Sequence, residues 1–98
     1  MKKKTLGILG GMGPAATAYF MDLLVRMTQA DTDQEHLDIL VCHAPSIPDR
    51  TGYILDHRKE NPLPAMVDYG NKLCTIGAEA IAIPCVTAHY FYNARSFE

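Results

Sequence analysis

No apolar run in this sequence approaches the roughly 20 residues a helix needs to cross a bilayer, and no segment repeats or is compositionally simple. Charge of one sign is also scarce. Nine basic and eleven acidic residues leave a net charge of −2. With both signs interspersed, nothing recommends nucleic acid or an anionic membrane as a partner. The one basic cluster, Lys2-Lys3-Lys4, is too short for a nucleic-acid patch and reads as the solvated lead into a first strand. It also precedes an apolar stretch, as the start of a secretion signal would, with Ala16-Thr17-Ala18 in the place of a cleavage site. Gly10, Gly11, Gly13 and Pro14 break the run that such a signal needs unbroken. Cysteines number only three, an odd count without framework spacing. This argues for free thiols in a reducing compartment, and the cytoplasm is the expected location.

What remains is a chain of 98 residues, 48% apolar, enough for one small domain with a modest core. Thr5 to Leu9 reads as a buried strand closed by glycines. Pro14 suits the first position of a helix, with Ala15, Ala16, Tyr19, Phe20, Leu23, Leu24 and Met27 as an apolar stripe ending near Ala30. A polar turn, Asp31 to Glu35, leads to a second strand, Leu37 to Cys42. His43 to Asn61 is a long irregular stretch with a helical turn expected around Ile54 to His57, and a loop of that length is more often functional than filler. Asn61-Pro62 opens a second helix as cap and first position, Met66, Tyr69, Leu73 and Ile76 form its stripe, and Gly77 ends it. Ala80 to Ile83 is a third strand, and Thr87 to Phe97 begins a third helix.

The order β-α-β-α-β-α with continuous apolar strands implies an α/β fold: a parallel sheet with helices on both faces, in three layers. Right-handed crossovers bring all strand C-terminal ends to one edge, where ligands of open α/β sheets bind. Gly10–Pro14, the loop after Cys42, and Pro84–His89 all fall there.

Pro84-Cys85-Val86-Thr87-Ala88-His89 carries the clearest chemistry. It sets a thiol where a buried strand ends and a helix begins, and a helix N-terminus favours the thiolate, a nucleophile or base. The plainer reading of Cys85 is a small buried hydrophobe. Thr87 either caps the helix or helps hold a carboxylate. His89, one helical turn past Cys85, either tunes the sulfur or packs. Gly11-Met12-Gly13-Pro14-Ala15-Ala16 formally satisfies the dinucleotide fingerprint. The second strand, however, ends on Cys42, His43 and Ala44, with no acid to hold a ribose hydroxyl. A glycine turn at a helix N-terminus then suits a smaller anion such as a substrate carboxylate. Arg50, in Ile47-Pro48-Asp49-Arg50-Thr51, is a bidentate partner for a carboxylate, a loop brace paired with Asp49, or a solvated charge. Cys42, His43, Cys85 and His89 lack the short paired spacing of a zinc site. No metal is expected, Cys42 reads as a strand-end core residue, and Cys74 reads as packing.

Gly10-Gly11-Met12-Gly13-Pro14-x-Ala16-Thr17, Pro48-Asp49-Arg50-Thr51, Asn61-Pro62-Leu63-Pro64 and Pro84-Cys85-x-Thr87-Ala88-His89-Tyr90-Phe91 together resemble the aspartate racemase branch of the aspartate/glutamate racemases. The resemblance implies a flavodoxin-like half of a two-domain fold, with strand order 2-1-3, residues 1–98 forming its truncated N-terminal part. It implies cofactor-independent chemistry, without pyridoxal phosphate or metal, in which two cysteines flank the α-carbon of an acidic amino acid, aspartate above all. Cys85 would be the first of them, and Gly11, Met12, Arg50, Val86 and Thr87 would contact substrate, Arg50 on a carboxylate. Val86 departs from the family's usual Asn. Valine cannot donate, and a substrate polar group left without its partner costs roughly 1–3 kcal/mol. A mirror-image second cysteine is also missing, so the chain alone is expected to be inactive. Glutamate, hydantoin or maleate enzymes of the same superfamily are the enzymatic alternatives. A non-catalytic remnant serving as a small carboxylate-binding module, and a nucleotide-binding module, are the others. Bare helix faces and a sheet edge make a homo-oligomer an expected partner state.

Overall fold

The computed structural model describes residues 3–85, 87 and 88. Val86, His89 and nearly all of the expected third helix lie outside the described residues, of which Thr87 and Ala88 form a 3₁₀ turn. The elements are β1 (Leu6–Gly10), α1 (Pro14–Met27), a 3₁₀ turn (Asp33–Glu35), β2 (Ile39–His43), α2 (Arg50–Leu55), α3 (Leu63–Thr75) and β3 (Ala80–Ala82). All three strands are parallel in the order β2-β1-β3, as the resemblance implies.

β1 is central, and its alternation covers both faces of the sheet. Leu9, paired with Cys42 on β2, belongs to one cluster with Met66 and Leu73 of α3, against which Leu40 and Cys42 also pack. Ile8 and Gly10 point the other way, toward α1, where Thr17 would touch any Cβ placed on Gly10. Ile8 and Leu9 are both wholly inaccessible. The two helical layers differ in depth. α3 buries Met66, Gly70 and Leu73, whereas the only buried residue of α1 is Thr17. Of the expected α1 stripe, Phe20, Leu23 and Leu24 are half-buried, while Ala15, Ala16, Tyr19 and Met27 are exposed.

Local chemistry explains the ends of the elements. The Asn61 side chain accepts the Leu63 N–H at 2.9 Å from one residue ahead of the N-cap, which is Pro62 itself, so α3 opens at Leu63, one residue later than the expected Asn61 cap and Pro62 first position place it. At the other end of α3, Gly77 has φ +116. Ala78 N–H reaches back to Leu73 O at 2.9 Å and Gly77 N–H to Cys74 O at 3.2 Å, the paired closure of a glycine-terminated helix. Ile76, expected in the buried stripe, is 63% exposed because it lies in that closing turn, and Gly70 takes the inward position. Lys3 does not simply lead into β1 as a solvated charge: its Nζ donates to Gln34 O at 2.6 Å and to His36 O. The helical turn in the long loop begins at Arg50, four residues ahead of the expected Ile54, because Asp49 caps it by accepting the Gly52 N–H at 2.9 Å. Among the described residues no helix is long and apolar enough to cross a membrane.

Candidate active site

The loops following β1, β2 and β3 leave the sheet on one edge, and packing draws them together. Met12 from the first, Ala44 and Ile47 from the second and Ala88 from the third are buried in one cluster, with Cys85 packed against it.

The first loop must be glycine-rich on steric grounds. Gly11 has φ +92, and a Cβ there would lie 2.4 Å from Ala44 N and 2.8 Å from Pro45 N. The Ala44 N–H also donates to Gly10 O at 2.9 Å, so backbone meets backbone between the first and second loops. The Gly11 N–H donates to Thr17 Oγ1 at 2.8 Å, and the Met12 side chain is 3% exposed inside the core. The turn therefore has its Gly11 amide already engaged. The amides of Met12 and Gly13 have no hydrogen-bond partner among the described residues. Gly13 is the N-cap of α1 without side-chain help, and Pro14 follows it, which leaves the first turn of the helix open to an anion.

The second loop positions Arg50. Its Nη1 donates to Ile47 O and Pro48 O, each at 3.3 Å. Its Nε is buried with no hydrogen-bond partner among the described residues. Asp49 is occupied with capping α2, so the loop is braced through carbonyls and not through an Asp49–Arg50 pair, one of the alternatives the sequence left open. A buried guanidinium N–H without an acceptor is costly unless something supplies one. Three residues on, Tyr53 stacks on His57 with ring centroids 4.6 Å apart and planes 6° from parallel.

The third loop carries Cys85, whose N–H donates to Ile83 O at 2.8 Å. The Cys85 Sγ lies 3.4 Å from Thr87 Oγ1, and both residues are half-buried. Cys42 is a different kind of thiol. Burial on the α3 face pushes it up from its ordinary range, and the Lys72 ammonium partly opposes this. Lys72 itself is held at 3.0 Å from Asp68 and lies 5.1 Å from the centre of the Tyr69 ring. Cys42 thus belongs to the sheet–helix core, as its strand-end position implied. Among the described residues no three metal-binding side chains come together.

An open cavity of about 250 Å³ is bounded by Leu24, Val25, Thr28 and Ile39 among others, near the start of β2 and away from the three loops. The residue that sequence reasoning passed over is Thr17. It stood only as a motif letter: a threonine on the same face as Phe20 and Leu24 can be seen in the sequence, but where its hydroxyl reaches cannot.

Comparison with known proteins places the chain in a family. The family model for Asp/Glu/hydantoin racemases matches residues 9–95. The chain is 37% identical over 94 residues to a broad-specificity amino-acid racemase, RacX, of Bacillus subtilis (strain 168), covering 90% of this chain and 39% of that protein. The solved structure of Picrophilus torridus aspartate racemase superposes with a TM-score of 0.90 at 35% identity, covering 98% of this chain and 41% of that one. The chain therefore spans about two fifths of the length of these relatives. With the family matched over almost its whole length and the fold reproduced, this chain belongs to the Asp/Glu/hydantoin racemase family.

Proposed function

We propose that this chain supplies one face of a racemase site for an acidic amino acid, aspartate by preference, with Cys85 as the base. Arg50 and the amides of Met12 and Gly13 hold carboxylate oxygens. The Cys85 thiolate takes the α-proton, so that the Cα–H bond breaks, an S–H bond forms and the electron pair stays on the α-carbon. A proton delivered to the opposite face by a group outside these residues completes inversion. Without an electron sink, the barrier must be lowered by positioning and by donors aimed at the developing charge. The step uses neither pyridoxal phosphate nor metal, and a reducing cytoplasm suits a base that must stay a free thiol.

The observation that carries this reading is the buried Nε of Arg50, which has no partner among the described residues, on a loop in backbone contact with the glycine turn. A guanidinium already braced by two carbonyls and still lacking an acceptor fits a carboxylate ligand. Titration of the labelled chain with L-aspartate, followed by NMR, is expected to give saturable shifts at Gly13 and at the Arg50 Nε–H, and none with L-leucine. Absence of any saturable shift sinks the reading.

A second reading, a carboxylate-binding module without catalysis, is favoured by Val86. Loss of the α-proton signal on incubation with L-aspartate in deuterated water would exclude this second reading. No loss of the α-proton signal is expected from this chain by itself, since the relatives it resembles are more than twice as long. Exchange that disappears in Cys85→Ser would show the chain to be sufficient.

A further inference from the structure

Thr17 is 1% exposed, the one buried polar residue among the described residues. Its Oγ1 accepts the Gly11 N–H at 2.8 Å, and its hydroxyl donates to Gly13 O at 3.2 Å. One hydroxyl thus joins both ends of the turn between β1 and α1. The bond to Gly13 alone would be unremarkable, since helical threonines often donate to the carbonyl four residues back. The bond from Gly11 is different, because it comes from six residues upstream and from outside the helix. Gly10 makes room for it: a Cβ there would stand 2.5 Å from Thr17 Cγ2 and 2.8 Å from Oγ1.

We propose that Thr17 is a positioning residue for substrate binding, its hydroxyl setting the Gly10–Gly13 turn so that the Met12 and Gly13 amides meet a carboxylate. This rests on the carboxylate reading of the site given above. Thr17 touches no ligand itself. It occupies the Gly11 N–H and pins the Gly13 carbonyl, which removes two ways for the turn to satisfy itself by folding inward. Without the hydroxyl, Gly11 has a buried N–H in need of another acceptor, and the turn must move to find one.

The test uses the chain itself with Thr17→Ser, Thr17→Ala and Thr17→Val, and L-aspartate as the probe. Serine and alanine both lack the methyl, so their comparison isolates the hydroxyl. Thr17→Ser is expected to keep affinity within about twofold. Thr17→Ala and Thr17→Val are expected to lose about tenfold or more, with the Gly11 amide exchanging with solvent correspondingly faster. If alanine and serine variants bind aspartate equally while Gly11 loses its protection, the hydroxyl holds the turn without serving the site, and the inference is overturned. If the wild-type chain gives no saturable shift, the carboxylate reading fails first and the positioning role goes with it. Should the alanine and valine variants not fold by circular dichroism, Thr17→Cys, close to serine in size but a weak donor, takes their place.

Discussion

The Cys85 sulfur and the Thr87 hydroxyl lie 3.4 Å apart, two residues from one another at the end of the third strand. Donated toward a thiolate, such a bond is charge-assisted and stronger than its neutral counterpart. Thr87→Val removes the donor while keeping the side chain's shape. Alkylation of Cys85 by iodoacetamide at neutral pH is then expected to slow roughly fivefold, the factor that corresponds to a bond worth about 1 kcal/mol. The measurement is site-resolved mass spectrometry in a background where Cys42 and Cys74 are alanine. An unchanged rate would mean that the hydroxyl does not act on the sulfur.

Arg50 separates binding from stability. Its two bonds to Ile47 O and Pro48 O are long, at 3.3 Å, and its Nε carries an unmet desolvation cost. Arg50→Met deletes both the bonds and the orphaned donor, so the net loss of stability is expected to be small, about 1 kcal/mol. Aspartate binding is expected to fall at least about tenfold, because methionine offers no donor to a carboxylate. Chemical denaturation and an aspartate titration on the same sample check both halves. A large loss of stability with binding retained would make Arg50 a brace and nothing more.

The strands were legible because apolar runs such as Gly7-Ile8-Leu9 are punctuated by glycine and proline, whereas their order came from the family resemblance, since right-handed parallel connections do not by themselves say which strand is central. The start of α3 was legible to within one residue for the same kind of reason, since Asn61-Pro62 announces a helix start, although Pro62 and not Asn61 is the N-cap. The start of α2 was misplaced because Asp49 was weighed as a partner for Arg50 and not as a cap, although Asp49 and Gly52 stand at capping distance in the sequence. Periodicity showed that α1 has an apolar side. It says nothing of what covers that side, and Tyr19 and Met27 are exposed. Of the proposed site, the candidates Cys85 and Arg50 were readable from residue type and loop position. Thr17 was not, because its role depends on a hydroxyl reaching back across a turn whose shape no local pattern announces.

Cys42 gives the domain a pH dependence of its own. Its thiol is raised from the ordinary value of 9.0 by burial, with Lys72 opposing. Unfolded, the thiol ionises near that ordinary value; folded, it holds its proton to higher pH. The folded state therefore binds more protons in that window, and stability falls as pH rises through it. Thermal melts from pH 8 upward are expected to decline more steeply in the native sequence than in Cys42→Ala, once Cys85 and Cys74 are replaced in both. Parallel declines would show that Cys42 does not contribute.

Two glycines with positive φ offer the sharpest contrast. Gly77 has φ +116 and nothing within 4 Å of a would-be Cβ, while Gly11 has φ +92 and Ala44 N at 2.4 Å. Gly77→Ala meets backbone strain alone, so it is expected to cost about 1 kcal/mol, at the low end for a residue held in that region. Gly11→Ala meets the same strain and must also push the second loop away from the first. That breaks the contact uniting the glycine turn with the Arg50 loop, since neither partner at that point is a flexible side chain. Its cost is expected to be several times larger, with aspartate binding lost even where the fold survives at low temperature. Urea denaturation of the two variants side by side measures the difference. Equal costs would mean that the two loops part freely, and that Arg50 and the glycine turn do not form a single site.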